Sequence, residues 1–255
     1  MLYIWYVDTR KTYRSIFISD THLGTRGCQA DRLHSFLKHN TSNALYLVGD
    51  IIDGWSLRRS YYWPQTHTDV IRKILTAARR GTEVYYIAGN HDEFLRKYIA
   101  ADLTFGRIHF VNRRTHIAVN GERFLVLHGD LFDNLMRTRT GKLAMHLGGA
   151  VYDSLVRASF WLNRLRSFFR LKPWSLSKFV KEKTKTALNH IYHFEDQVAH
   201  YATEKGFDGV ICGHIHTAAI KQIGEVKYLN SGDWVESCSA LVEHHDGSFE
   251  IINWE

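Results

Sequence analysis

Apolar and polar positions along the chain predict a mixed α/β fold. Short aliphatic runs at residues 15–19, 44–48 and 83–88 are typical of strands buried on both faces. Between them, residues 30–39 and 68–80 place apolar side chains at helical spacing, and Gly81 follows the second helix as a C-terminal cap. The first part of the chain therefore predicts a βαβαβ arrangement.

The later apolar runs follow one another mostly across turns, which predicts a second sheet built with hairpins. These runs are residues 108–111, 116–119, 123–127, 209–212, 226–229, 240–244 and 249–254. Two sheets covered by helices give a layered α/β sandwich. Two long helical stretches, roughly 142–169 and 176–205 with Pro173 between them, interrupt the sheet pattern. A length of 255 residues fits one domain that carries an insertion.

Charge is distributed unevenly along the chain. The formal net charge is +7 at pH 7, yet between residues 135 and 190 twelve Lys or Arg accompany only two acidic residues. The same segment carries apolar aromatics such as Trp161 and Phe168 among its arginines. A helix of this kind can lie in a membrane interface or cover an acyl-binding groove. The alternative is that its aromatics pack on the sandwich and its charges are solvated.

Cysteine usage and the chain start indicate a cytoplasmic protein. The three cysteines are widely separated and show no C-x-x-C spacing, which favours neither a disulfide framework nor a cysteine-based zinc site. The apolar opening is interrupted by Asp8, Arg10 and Lys11, so it falls short of a signal peptide or membrane span. Peripheral attachment to the inner face of the inner membrane stays open.

Side chains that can bind metal recur directly after predicted strands. They are Asp20, His22, Asp50, Asp53, Asn90, His91, Asp92, His128, His214 and His216. Loops at the C-terminal ends of strands can bring such residues together from distant positions. Carboxylate, imidazole and amide oxygen suit Mn²⁺, Zn²⁺ or Fe²⁺. Each motif alone occurs by chance, but five of them at strand ends predict a metal site.

The number of candidate donors favours two metal ions. Seven donor side chains exceed what one ion normally takes from a protein, so we expect two ions that share a carboxylate, with Asp50 as the bridge. Two ions about 3.5–4 Å apart can lower the pKa of a bridging water and neutralise charge on a phosphoryl group. This chemistry predicts a phosphoesterase.

The chain resembles the calcineurin-like metallophosphoesterase family in an ordered set of motifs: Asp20-x-His22, Gly49-Asp50-x-x-Asp53, Gly89-Asn90-His91-Asp92, His128 and Gly213-His214-x-His216. The resemblance implies a single domain over 1–255, a four-layer α/β sandwich of two mixed sheets flanked by helices, with a helical insertion over 134–200. It implies that one ion is held by Asp20, His22, Asp50 and His216, and the other by Asp50, Asn90, His128 and His214. His91 is then the general acid or transition-state stabiliser. We expect Asp53 and Asp92 to orient histidines from behind.

Within that superfamily the chain resembles the UDP-2,3-diacylglucosamine pyrophosphatase family of lipid A biosynthesis. The resemblance rests on Ile-Phe-Ile-Ser-Asp-Thr-His-Leu-Gly, on Leu-Val-Gly-Asp-Ile-Ile-Asp-Gly-Trp and on the helical insertion after His128. It implies that metal-bound hydroxide, with manganese as the metal, hydrolyses a lipid-linked nucleotide at the cytoplasmic membrane surface to UMP and a lipid monophosphate. The chain departs from that family at His91, where the family has arginine, and in the segment after His128.

Several functional predictions stay open. The substrate contacts expected from the sequence are Asn90, His91, Arg157, Arg164, Lys181 and Lys185. The basic segment can also bind a phosphate backbone and stack bases, as in a nuclease or phosphodiesterase. A non-catalytic metal-binding scaffold is the third alternative, and the presence of His91 disfavours it. No obligate protein partner is indicated.

Overall fold

The structure is a computed structural model that describes residues 10–101, 103–132 and 185–255, apart from the side chains of residues 185–190 and 192. The described strands are β1 (Lys11–Ile18), β2 (Asn40–Val48), β3 (Glu83–Ile87), β4 (Thr104–Phe105), β5 (Ile108–Val111), β6 (Arg113–Ile117), β7 (Arg123–Leu127), β8 (Gly209–Cys212), β9 (Ala219–Ile223), β10 (Val226–Asn230), β11 (Ser239–Glu243) and β12 (Phe249–Asn253). The described helices are α1 (Ala30–His39), α2 (Gly54–Arg59), α3 (Gln65–Arg79), α4 (Arg96–Ile99) and α5 (Lys185–Glu204), with 3-10 turns at Glu93–Leu95 and Asp130–Phe132.

The strands form two mixed sheets. The larger sheet has the order β12-β11-β1-β2-β3-β5-β4, in which β1, β2, β3 and β5 are parallel. The smaller sheet has the order β6-β7-β8-β10-β9, in which β7, β8 and β10 are parallel. The rings of Phe17, Tyr46, Tyr85 and His109 stack between paired positions of the four parallel strands, with centroids 4.6, 4.9 and 5.3 Å apart. This row of cross-strand pairs supports the register of the larger sheet.

Three hydrophobic cores separate four layers. α3 covers the outer face of the larger sheet, because Val70 and Ile74 are four residues apart and share one face of the helix. Phe17 and Phe124 lie in the core between the two sheets. Phe194 of α5 packs on the outer face of the smaller sheet. The predicted four-layer sandwich of two mixed sheets flanked by helices is therefore confirmed.

The assignment of the later apolar runs to the second sheet is wrong for three of them. β5 pairs with β3, while β11 pairs with β1 and β12 pairs with β11, so all three extend the larger sheet. Alternation along a strand reports which faces are buried and leaves the pairing partner open. β11 is buried at all five positions because it lies inside the larger sheet.

Other predicted elements are present, some with shifted ends. α1 occupies residues 30–39 as predicted, and Gly81 has a φ of +108° and follows α3 as the expected cap. The strand predicted at 116–119 is β6, which ends at Ile117. The sequence analysis missed β9, an edge strand with three exposed central residues, and α2, whose six residues are too few to show a helical period.

Much of the predicted insertion over 134–200 lies outside the described residues, as do Arg157, Arg164, Lys181 and the predicted helix at 142–169. The predicted helix at 176–205 enters the described part as α5. Within the described ranges, none of the helices is both long and apolar enough to cross a bilayer.

Candidate metal centre

The predicted metal ligands all follow parallel strands at one edge of the sandwich. Asp20 and His22 follow β1, Asp50 follows β2, Asn90 follows β3, His128 follows β7, and His214 and His216 follow β8. Backbone hydrogen bonds join neighbouring loops: the Asp20 amide donates to the Gly49 carbonyl (3.0 Å) and the Gly213 amide to the His128 carbonyl (3.1 Å). The centre therefore lies where the C-terminal edges of both sheets meet.

Ligand atoms of these residues form three overlapping groups, within each of which they lie no more than 4.8 Å apart: Asp20 with His22 and His216, Asp50 with His128 and His214, and Asp50 with His22 and His91. Oδ2 of Asp50 lies 3.3 Å from Nε2 of His128 and 4.0 Å from Nε2 of His22. Asp50 thus faces histidines on both sides of the centre.

The backbone of the centre is strained. Six non-glycine residues in the described ranges have φ in the left-handed region, and five of them are predicted ligands: Asp20 (52°), His22 (49°), Asp50 (54°), His214 (70°) and His216 (53°). Each such residue costs on the order of 1–3 kcal/mol, and folds retain this strain mainly at functional sites. In the described chain, this strained backbone is concentrated at the centre, where it places the predicted ligand side chains at an energetic cost.

Two glycines allow the ligand loops to approach one another. A Cβ at Gly89 would overlap the carboxylate of Asp50, and a Cβ at Gly213 would overlap Asp20. Glycine is required before Asn90 and before His214 because there is no room for a side chain between the loops. The Gly-Asn and Gly-His pairs of the sequence motifs therefore have a steric cause.

Three buried ligand atoms make no well-aligned hydrogen bond: Oδ1 of Asp20, Oδ1 of Asn90 and Nε2 of His128. Leaving such an atom unsatisfied costs about 1–3 kcal/mol. Oδ1 of Asp20 lies 3.2 Å from Nε2 of His216, and Nε2 of His128 lies 3.3 Å from Asp50. Two ligand atoms that bind the same ion, each at about 2.1 Å, lie about 3 Å from one another. Oxygen and imidazole donors at these separations fit divalent metal ions.

Opposite charges control ionisation inside the centre. Burial alone would raise the pKa of Asp20, but His216 and His128 lower it to about 2. Burial alone would lower the pKa of His128, but Asp50 raises it to about 10. The carboxylates are therefore charged at neutral pH, whereas an ion that binds His128 must displace its proton.

Asp53 lies behind two histidines. Its Oδ2 is 3.1 Å from Nδ1 of His22 and 2.9 Å from Nδ1 of His91, while its Oδ1 accepts from the Ser56 amide and caps α2. Burial would raise the pKa of Asp53, but the two histidines hold it far below its usual range. Burial would lower the pKa of His22, and Asp53 with its neighbours raises it to about 9. This is the position expected for a group that orients histidines, and the role itself stays a prediction.

Asp92 has different neighbours from those predicted. Its carboxylate accepts from the amides of Ile51 (3.0 Å) and Ile52 (2.8 Å) and from the Tyr86 hydroxyl (2.7 Å). Burial and the charge of Asp50 raise its pKa to about 6. The described partners of Asp92 are thus buried amides of the loop after β2 and a tyrosine, and its expected role in orienting a histidine stays a prediction.

Two aromatic side chains beside the centre were missed by the sequence analysis. The Trp55 ring of α2 lies 4.3 Å from the His91 ring, and the Phe194 ring of α5 lies 5.6 Å from the His214 ring. An isolated aromatic residue next to a motif is more often part of the core, so residue type alone did not indicate that Trp55 and Phe194 lie beside the centre. Of the predicted substrate contacts, Asn90 and His91 lie in the centre, and Lys185 is the first described residue of α5, without a described side chain.

Comparisons with known proteins give the family. The chain matches the calcineurin-like phosphoesterase family over residues 13–218. It is 28% identical to the UDP-2,3-diacylglucosamine hydrolase of Porphyromonas gingivalis, covering 89% of this chain and 92% of that protein, and 24% identical to that of Aliivibrio fischeri, covering 92% and 96%. Among solved structures, the E. coli phosphoesterase Yfce is 14% identical with a TM-score of 0.42, covering 94% of this chain and 99% of that one. Because the family match covers most of the chain and includes every candidate ligand, the chain belongs to the calcineurin-like phosphoesterase family and is a metal-dependent hydrolase.

Proposed function

We propose that the chain is a dinuclear-metal phosphoesterase that hydrolyses the phosphoanhydride of a lipid-linked nucleotide. One observation supports the dinuclear centre above all others. Buried atoms of Asp20, Asn90 and His128 make no well-aligned hydrogen bond, and the carboxylate of Asp50 lies between histidines that belong to two different groups. The seven donor side chains exceed what one ion normally takes from a protein, and their arrangement on both sides of Asp50 supports two ions.

The donors divide between the two ions around Asp50. One ion would be held by Asp20, His22, Asp50 and His216, and the other by Asp50, Asn90, His128 and His214. Bound divalent ions supply Lewis acidity, which lowers the pKa of water and neutralises charge on the phosphoryl group. A donor set of oxygen and imidazole without thiolate fits Mn²⁺, our first choice, as well as Zn²⁺ or Fe²⁺.

His91 delivers a proton to the leaving group from Nε2. Its Nδ1 lies 2.9 Å from Asp53, and its Nε2 lies 3.9 Å from Oδ2 of Asp50. The contact with Asp53 fixes the orientation of the ring, so that Nε2 faces the centre. The side chain of His91 is 23% exposed, so a substrate can reach it.

The choice of a lipid-linked nucleotide is supported by two relatives. The proteins from Porphyromonas gingivalis and Aliivibrio fischeri are named UDP-2,3-diacylglucosamine hydrolases, and each is similar over about nine tenths of both chains. The basic segment between 135 and 190 adds charge that suits a phosphate-rich lipid surface on the cytoplasmic side. The reaction adds one water across the pyrophosphate and releases UMP and 2,3-diacylglucosamine monophosphate.

Hydrolysis of three substrates by the Mn²⁺-loaded protein tests the proposal. They are UDP-2,3-diacylglucosamine, bis-p-nitrophenyl phosphate and a short single-stranded oligonucleotide. We expect the highest kcat/KM for the lipid nucleotide, with UMP as a product. Cleavage of the generic diester alone would keep the phosphoesterase and contradict the lipid substrate. Preference for the oligonucleotide would make the chain a nuclease.

A further inference from the structure

A basic and aromatic surface lies beside the metal centre, on the side of α2. We call it the Arg–Tyr surface, and it consists of Arg26, Arg58, Arg59, Tyr61 and Tyr62. Tyr61 is 79% exposed, and Arg58 and Arg59 are exposed as well. The two segments that form it, residues 24–29 and 54–65, contain no Asp or Glu. The surface therefore combines positive charge with one projecting aromatic ring, that of Tyr61.

Contacts beneath the Arg–Tyr surface hold it in place. The guanidinium of Arg26 lies 4.5 Å above the ring of Tyr62. The rings of Tyr62 and Trp63 both meet the His67 ring edge-on, with centroids 5.8 and 5.4 Å apart. His67 is buried and accepts a hydrogen bond from the Gly24 amide at 3.0 Å, which ties the two segments together. These contacts fix the segments that carry Arg26 and Tyr62, so this part of the surface gains little order when a partner binds.

α2 connects the surface directly to the metal centre. Asp53 caps the N-terminus of α2, and Trp55 of its first turn lies 4.3 Å from His91. Arg58 and Arg59 follow Trp55 by about one helical turn, which is roughly 5 Å along the helix axis. A partner bound to the Arg–Tyr surface would thus lie at the edge of the centre.

We propose that the Arg–Tyr surface docks the enzyme on an anionic lipid surface and turns the metal centre toward it. Tyrosine and tryptophan prefer the headgroup level of a bilayer, and arginine is attracted to the negative lipid phosphates beside them. The choice of lipid over other anions rests on the proposed function. A ring exposed as far as Tyr61 suits insertion among headgroups better than base stacking inside a groove. This surface is separate in sequence from the basic segment between 135 and 190.

Vesicle co-sedimentation of the full metal-loaded chain tests the docking surface. The probes are vesicles of phosphatidylcholine alone and of phosphatidylcholine mixed with phosphatidylglycerol. The test variant is Arg58→Glu with Tyr61→Ser. The control is Arg80→Glu with Phe105→Ser, which removes the same kinds of group near the N-terminal end of β3, away from the centre. We expect the test variant to lose roughly tenfold or more of its partitioning onto anionic vesicles, and the control to match the parent.

Other outcomes would overturn the docking proposal. They are a test variant that partitions like the parent, or a control that loses as much as the test variant. If the thermal midpoint of the test variant falls, Arg58→Gln alone replaces it and must reduce partitioning in the same direction. The assay measures no turnover, so it can fail while the lipid nucleotide is hydrolysed, and it can succeed while that hydrolysis is absent.

Discussion

Glu243 and Asp50 are both carboxylates buried beside histidines, but the atoms around them differ. Glu243 of β11 accepts from Arg14 at 2.7 Å, from the Ser15 hydroxyl at 3.0 Å and from Nε2 of His116 at 2.9 Å. The other ring nitrogen of His116 lies 3.0 Å from the Tyr46 hydroxyl. This group is a closed network of hydrogen bonds between the two sheets.

The group around Asp50 is open where the group around Glu243 is closed. Oδ1 of Asn90 is buried without a hydrogen-bond partner, and Nε2 of His128 meets Asp50 at 3.3 Å without a well-aligned hydrogen bond. The φ of Asp50 is +54°, whereas Glu243 lies in a regular strand. A buried network whose hydrogen bonds are all made stabilises the fold, whereas buried polar atoms without hydrogen bonds lower the free energy of unfolding. A bound metal ion would satisfy the atoms around Asp50 and offset this loss. Burial of histidine beside carboxylate does not by itself identify a metal site. The unsatisfied oxygen of Asn90 and the left-handed backbone of Asp50 distinguish this group from the group around Glu243.

Asp50→Asn should have the largest effect on turnover. The substitution removes the charge that faces histidines on both sides, so we expect loss of bound metal and a fall in turnover on the order of ten-thousandfold or more. Metal per chain and hydrolysis of bis-p-nitrophenyl phosphate check this, with Glu243→Gln as the matched control that keeps its metal. Full activity of Asp50→Asn would contradict the claim that two ions share the Asp50 carboxylate.

His91→Ala should lower turnover by about a thousandfold while the metal content stays that of the parent, because a positioned proton donor contributes on that scale. The measurement pairs kcat with metal analysis of the same sample. His91 also falls in a possible ligand group with His22 and Asp50. Loss of metal from His91→Ala would therefore place this histidine among the ligands.

Asp53→Asn should reduce kcat/KM by about 10–100-fold, because partners that orient metal-binding histidines contribute in that range. Both His22 and His91 lose their charged neighbour. Asp31→Asn, at an exposed carboxylate of α1, serves as the control and should behave like the parent. Steady-state kinetics with metal in excess check the effect, and parental activity of Asp53→Asn would contradict the orienting role.

Glu243→Gln should leave turnover at 25 °C unchanged and lower the free energy of unfolding by about 3 kcal/mol, because it breaks a buried ion pair. Burial would raise the pKa of Glu243, but His116 and Arg14 hold it below its usual range. Ionised Glu243 stabilises the folded state at pH values above its pKa in the unfolded chain, about 4.3. This stabilisation is lost as the pH falls through the lower pKa that Glu243 has in the folded protein. Urea unfolding at several pH values should show that the difference in free energy of unfolding between Glu243→Gln and the parent becomes smaller below about pH 4. A constant difference would contradict the ionised network.

The sequence predicted the elements of the fold better than their pairing. The helical period located α1, and apolar runs located β5 and β11, yet both strands belong to the larger sheet and not to the second one. Pairing depends on contacts between distant segments that no local pattern encodes. β9 escaped notice because an edge strand can expose residues such as Lys221 and Gln222.

The candidate ligands were visible in the sequence because they directly follow predicted strands, and the structure brings them together at one edge. Asp53 and Asp92 show where that reasoning ends. Both are aspartates of the same motifs, but Asp53 faces His22 and His91, whereas Asp92 faces buried amides. The path of each loop determines whether its aspartate faces histidines or backbone amides, and the residue type alone does not show that path.

The claim that two ions share Asp50 is tested most directly by titrating metal-free protein with Mn²⁺ and counting the ions bound per chain. The account predicts two ions for the parent and loss of that binding in Asp50→Asn, with Glu243→Gln still binding two. A parent that binds one ion, or an Asp50→Asn variant that still binds two, would contradict it.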